Sequence, residues 1–139
     1  MAALFSNDPG VLATGSFTLR GANVNQATTD LPTITILYPT GFTRFRVTGV
    51  FVSHASLSLT TATLGVFTAA GGTGTTIVTD AALSGITSTA ESTAANSISM
   101  TLASQTTTSY TLSGLIPRCG TAQGAAATCD ITITVQFLP

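Results

Sequence analysis

Apolar and polar side chains alternate along much of this chain with a period of two. In "DITITVQF", Ile131, Ile133, Val135 and Phe137 share one face while Thr132, Thr134 and Gln136 share the other. "SISMTLAS" repeats the pattern with Ile98, Met100 and Leu102, and "SFTLR" with Phe17 and Leu19 opposite Thr18 and Arg20. "PTITILYP" aligns Ile34 with Ile36 before Leu37 breaks the alternation. Successive side chains of an extended strand point to opposite sides, so each segment predicts a half-buried antiparallel strand. The longest candidate, "FTRFRVTGVFVSHASLSLT", sets Phe45 and Val47 against Arg44 and Arg46, then runs through Val50, Phe51 and Val52 without a polar break. Gly49 between the two halves predicts a bulge or bend, as glycine inside a strand often marks one. "SHAS" reads either as a turn or as a polar stretch of one long strand.

Turn chemistry falls at regular intervals. "NDPG", "RGAN", "YPTG", "AAGGTG", "LSGI" and "SGLIPRCG" divide the chain into pieces of about ten to fifteen residues. That spacing predicts an all-β fold, an antiparallel β-sandwich of eight or nine strands in two sheets. No segment carries an apolar stripe through three helical turns, and "TDAALSG" and "ESTAAN" predict one turn each, so little helix is expected. The organisation read from the pattern is an amino-terminal arm, residues 1–14, followed by a single sandwich domain, residues 15–139. Leu4 and Phe5 either dock the arm on a neighbour or belong to a frayed end.

The glycine cluster in "ATLGVFTAAGGTGTTIV" could cradle a phosphate or turn a hairpin. A phosphate loop of the Walker kind needs a lysine after its glycines, and the chain contains none. A dinucleotide fingerprint needs a third glycine where Ile77 stands, and either motif opens a helix, whereas "TTIVTD" is β-branched. Gly71, Gly72 and Gly74 instead supply the positive φ angles of a tight reversal, which predicts the tip of a β-hairpin.

Composition sharpens this picture. Charged residues make up 6% of the 139 residues, and the formal net charge is −1. Neither value gives an electrostatic reason to expect DNA or an anionic membrane as partner. Apolar residues at 44% are too many for a low-hydrophobicity disordered chain, yet their runs are far short of a membrane-spanning helix. A membrane barrel would want aromatic girdles, and the chain has no tryptophan and two tyrosines, Tyr38 and Tyr110. Threonine and serine, together about 30% of the chain, take the place of charge. A neutral hydroxyl surface is poorly protected against association, which favours an oligomer or a large assembly over a solitary monomer. "MAALFSNDPGVLA" has no basic stretch and no long apolar run, so synthesis in a cytoplasm without export is the expectation.

The inventory for catalysis is thin. His54 is the single histidine, so a Ser-His-Asp triad would have one possible base, and no G-x-S-x-G motif offers a nucleophile. The five acids Asp8, Asp30, Asp80, Glu91 and Asp130 are scattered, and Asp8 in "SNDPG" reads as turn chemistry. No calcium loop is present, and two cysteines with one histidine are too few for zinc. No enzymatic activity, cofactor or metal is therefore expected. Arg20, Arg44 and Arg46 lie on polar strand faces, where they either solvate the face or meet a carboxylate or glycan of a partner.

Cys119 and Cys129 flank the nine residues "GTAQGAAAT". If the strands on either side pair as a hairpin, the sulfurs face each other across its mouth, and a bridge would contribute roughly 2–3 kcal/mol by restricting the unfolded chain. The other reading is two reduced thiols, as expected in a cytoplasm.

From "RFRVTGVFVSHASLSLTTATLGVFTAAGGTGTTIV" to "ALSGI", residues 42 to 86, the chain resembles small β-sandwich proteins of tailed-bacteriophage virions. The shared features are a strand mixing arginine with apolar residues, the "LGVFTAAGG" hairpin and a Thr/Ala-rich continuation. The resemblance implies a jelly-roll-like fold and a structural place at the virion surface. It points to a capsid decoration (cement) protein, a homotrimer on the head bound to the major capsid protein, made in the host cytoplasm. Tail or fibre components, including a receptor- or carbohydrate-binding module, are the alternative. The resemblance carries over no binding residues and assigns no role to the cysteines.

Overall fold

Most alternating segments form strands, but "SISMTLAS" is extended only over Ser97–Ser99 and "PTITILYP" only over Ile34–Thr35, so Met100, Leu102 and Ile36 reach the core from outside any strand. The computed structural model describes residues 13–90, 94–104 and 108–139. Among these residues the strands are β1 (Thr14–Asn23), β2 (Thr29–Asp30), β3 (Ile34–Thr35), β4 (Arg44–Ser53), β5 (Thr63–Ala69), β6 (Thr73–Ala82), β7 (Ser97–Ser99), β8 (Gly114–Cys119) and β9 (Thr128–Leu138). Helical structure among them is confined to two single 3-10 turns, Ala70–Gly72 and Ala94–Asn96. The second lies in "ESTAAN", as expected; "TDAALSG" differs, because β6 runs on through Ala82.

The strands pair antiparallel in two sheets, one ordered β1-β9-β4-β7 and the other β2-β8-β5-β6, with β3 also on β8. β2 and β3 are two halves of one edge strand broken at Pro32. Leu31 donates its N–H to Pro117, yet Ile34 lies opposite Leu115, so three steps on one strand face two on the other. With the halves counted together, eight strands fill two four-stranded sheets, and consecutive strands change sheet everywhere except at the β5–β6 hairpin. That topology, two interleaved Greek keys, is the jelly roll.

The glycine cluster sits at the one place where consecutive strands pair directly. β5 pairs with β6, and Gly71, Gly72 and Gly74 have φ of 73°, 72° and 73°. The cluster is a hairpin tip. Gly49 marks a bulge in β4 as expected: Val47 faces Val135 while Gly49 faces Thr134, leaving Thr48 as the extra residue. The bulge shifts the alternation by one, so Val50 and Val52 point inward and Phe51 outward. β4 ends at Ser53, and the next residue, His54, has a φ of 52° that turns the chain within "SHAS".

The core lies between the sheets. Phe45, Val50, Val52, Ile131 and Ile133 from one sheet meet Leu64, Val66, Ile77, Val78 and Leu115 from the other, all with no exposed surface. Each such side chain contributes about 1.5–3 kcal/mol by leaving water, which makes burial the main stabilising term. One end is closed by aromatic rings, with Phe137 touched by Phe17, Tyr38 and Phe42 at centroid distances of 6.3, 5.6 and 6.3 Å. The opposite end is closed by two loops. Val24 donates to Ala127, Gln123 to Val24, and Thr28 to Gly120, all through backbone N–H groups.

The expected arm, residues 1–14, lies outside the described residues apart from Ala13 and Thr14. Those two already belong to the sandwich, since Phe137 donates to the Ala13 carbonyl and Thr14 opens β1. The hairpin imagined for the cysteines is not formed. β8 and β9 belong to different sheets, because the jelly-roll crossover intervenes between them, and both thiols are unbridged and buried.

Candidate functional site

The outer face of the four-stranded sheet is read most easily in cross-strand rows. One row holds Thr14, Gln136 and Arg46; the next Ser16, Thr134 and Gly49; the third Thr18, Thr132, Phe51 and Ser99. Alternation dictates this composition, since every residue between two core positions must face out. Thr18 and Thr132 share a hydrogen bond of 2.9 Å between their hydroxyls, and so do Thr48 and Thr134. Each pair uses one hydroxyl proton internally and leaves the other to be satisfied, so covering a pair removes fewer interactions with water than covering two lone hydroxyls would. Phe51 is 40% exposed in the middle of this field.

Phe51 illustrates a device used three times. In "GSF", "GVF" and "GVF", a phenylalanine ring lies back over the glycine two residues earlier on the same face. A Cβ at Gly15, Gly49 or Gly65 would come within 2.9, 2.8 and 2.8 Å of the rings of Phe17, Phe51 and Phe67. The repeated G-x-F spacing was visible in the sequence, and only the structure shows that the glycines make room for rings. Phe17 turns inward onto Phe137, whereas Phe51 and Phe67 lie on outer faces.

The sequence-selected residues do not converge on one place. Arg44 donates through Nε and Nη2 to the Pro139 oxygen at 3.2 and 3.1 Å. Arg46 is half-buried beside Gln136, and Arg20 is exposed at the far end of β1. His54 stands with Ser53 and Asp130, but both contact the same ring nitrogen: Ser53 Oγ at 2.9 Å and Asp130 Oδ2 at 3.6 Å from Nδ1. A catalytic relay places the acid on one ring nitrogen and the nucleophile on the other, so this trio has a different geometry. Asp130 also accepts the Gly21 N–H at 2.9 Å, tying β9 to the bulge within β1 between Leu19 and Ala22. Tyr38 donates its hydroxyl to Leu112 at 2.5 Å and Tyr110 packs tilted against Phe45 at 5.7 Å between ring centroids, so both rings join the aromatic cluster. Burial raises the Tyr38 phenol above its ordinary range. Asp8 and Glu91 lie outside the described residues.

Two polar clusters escaped the sequence reading. Arg118 Nη1 donates to Asp30 Oδ1 at 2.6 Å, and Gly71 donates its N–H to Asp30 Oδ2 at 2.8 Å. The Gly71 N–H and the Arg118 guanidinium hold the Asp30 carboxyl below its usual range. This latch fastens the hairpin tip to β2 and β8 beside a shallow depression of about 230 Å³ lined by Phe67, Gly72 and Asp80. In the second cluster, Gln123 Oε1 accepts the N–H groups of Thr61 and Ala62 at 3.1 Å each, and Nε2 donates to Thr60 at 3.0 Å. Partners separated by 88 and about 60 residues leave no local signal.

The cysteines face each other's sheet from the loop-closed end. Cys119 ends β8 opposite Leu64, and Cys129 lies in β9 opposite Ala22. The Cys119 thiol donates to the Thr121 carbonyl at 3.3 Å. Burial, with the charges of Asp130 and Cys119, pushes the Cys129 thiol up to about 12. Burial also raises Cys119. Among the described residues, no group of three or more His, Cys, Asp or Glu could hold a metal ion, and no helix is long and apolar enough to cross a membrane.

No protein family, curated protein or solved structure matches this chain at a significant level.

Proposed function

We propose that this protein is a structural component of a tailed-bacteriophage virion, a capsid decoration (cement) protein that binds the head lattice as a homotrimer. The observation that carries the reading is the outer face of the four-stranded sheet. Its rows present hydroxyls and one amide around an exposed phenylalanine, with Arg46 as the single charge in the three rows described. Threonine hydroxyls that already pair with each other can be covered by a neighbour at a smaller unsatisfied-polar penalty than lone hydroxyls. Such a surface suits permanent contact with copies of itself and with the major capsid protein. By binding adjacent capsid subunits only in the assembled lattice, the protein would stabilise that lattice by mass action. The reading includes no enzymatic step.

The alternative, a carbohydrate- or receptor-binding module of the tail or fibre, would call on exposed aromatic platforms. Tyr38 and Tyr110 are engaged in the ring cluster, which leaves Phe51 as the one aromatic exposed on this sheet among the described residues, a single ring rather than a platform of several. The test is solution mass together with retention on purified particles. A trimer at micromolar concentration that sediments with particles is expected. A monomer that is not retained overturns the reading.

A further inference from the structure

The two cysteines are placed where a hairpin staple would not put them, one on each sheet. They are ten residues apart in sequence, at matching ends of opposed sheets, and both side chains point into the core with no exposed surface. The same stitched loops cover both, with Gln123 and Ala127 bonded to Val24 above them and Gly120 bonded to Thr28. Across their own sheets Cys129 lies opposite Ala22 and Cys119 opposite Leu64. Both residues belong to the one apolar core that fills the space between the sheets.

We propose that Cys119 and Cys129 form a latent redox clasp, which mild oxidation joins into a single disulfide bridging the two sheets at the loop-closed end of the sandwich. This inference is independent of the lattice reading. The oxidant is a small-molecule disulfide of the glutathione class. One protein thiolate attacks it, forming a mixed disulfide and displacing one small thiolate. The second protein thiolate then attacks the protein sulfur of that mixed disulfide and displaces the other. Each leaving thiolate takes up a proton, so two hydrogens pass from the protein to the oxidant, which becomes two small thiols.

Burial makes the reaction slow. With its thiol near 12, Cys129 presents a thiolate roughly a thousandfold rarer than that of an ordinary cysteine near neutral pH. Closure therefore waits on an opening of the 120–127 loop.

The test starts from reduced full-length protein exposed to oxidised glutathione at about pH 8.5, then acid-quenched, unfolded and alkylated. The clasp predicts an intact mass lower by two hydrogens, no alkylation, no intermolecular cross-link, and a Tm raised by on the order of 10 °C. Reductant restores the original mass, the alkylation of both thiols and the original Tm. Cys119→Ala and Cys129→Ala should each stop at one glutathione adduct without the rise in Tm. If both thiols still alkylate under conditions that oxidise the urea-unfolded chain, or if the product is an intermolecular dimer, the proposal fails. The wild-type mass decides this even where a variant does not fold.

Discussion

Replacing Gln123 with alanine tests whether one side chain organises the loop-closed end. Its Oε1 is the acceptor for the N–H groups of Thr61 and Ala62, and its Nε2 donates to Thr60. Thr60 and Thr61 are exposed and can turn to water, but Ala62 has no exposed surface. Gln123→Ala therefore leaves one buried donor without an acceptor, a cost of about 1–3 kcal/mol. In urea, with a slope of roughly 2 kcal/mol per molar, the unfolding midpoint should fall by about 1 M at unchanged slope. Gln123→Glu keeps the acceptor and loses only the bond to exposed Thr60, so it should lose less than half as much. Protein concentration must be held constant, because an oligomer's midpoint depends on it. A Gln123→Ala midpoint equal to wild type, or a Gln123→Glu variant just as unstable, would refute the reasoning.

Other perturbations have equally definite outcomes. Asp30 is held low by Gly71 and Arg118, so its contribution is present above its unfolded value near pH 4 and is lost as pH falls through its lower folded value; the stability gap between wild type and Asp30→Asn, followed by urea titration, should be constant above about pH 5 and shrink in acid. Gly71→Ala meets no atom and should cost only about 1 kcal/mol for its positive φ, whereas Gly74→Ala also drives a Cβ into the Thr68 hydroxyl and should cost clearly more in the same assay. Leu64→Ala empties a fully buried site and should destabilise by about 2–5 kcal/mol by calorimetry. Phe51→Ser should leave the circular dichroism spectrum intact while weakening retention on particles, because the ring is exposed.

The strands were legible because alternation is local. Ile131 to Phe137, Phe45 with Val47, and the Gly71–Gly74 tip each announce themselves within a few residues, and all three took their expected form. Pairing partners were not legible. A strand's inward face looks the same whichever sheet receives it, so "YTLSGLIP" and "DITITVQF" suggested a hairpin although β8 pairs with β5 and β9 with β1 and β4. β2 and β3, two residues each, are too short to show a period. The Asp30–Arg118 latch and the Gln123 bonds join residues that only the jelly-roll topology brings together. The thrice-used G-x-F spacing could have been found by inspection. Its meaning, rings laid over glycines, depends on strand geometry.

Imaging the purified parent particle by electron cryomicroscopy addresses the central claim most directly. A two-sheet, eight-stranded sandwich density is expected, repeated around three-fold positions of the head, with the hydroxyl-rich sheet covered by neighbouring protein. Particles that carry no copy of this chain, or carry it with that sheet fully open to solvent, would contradict it.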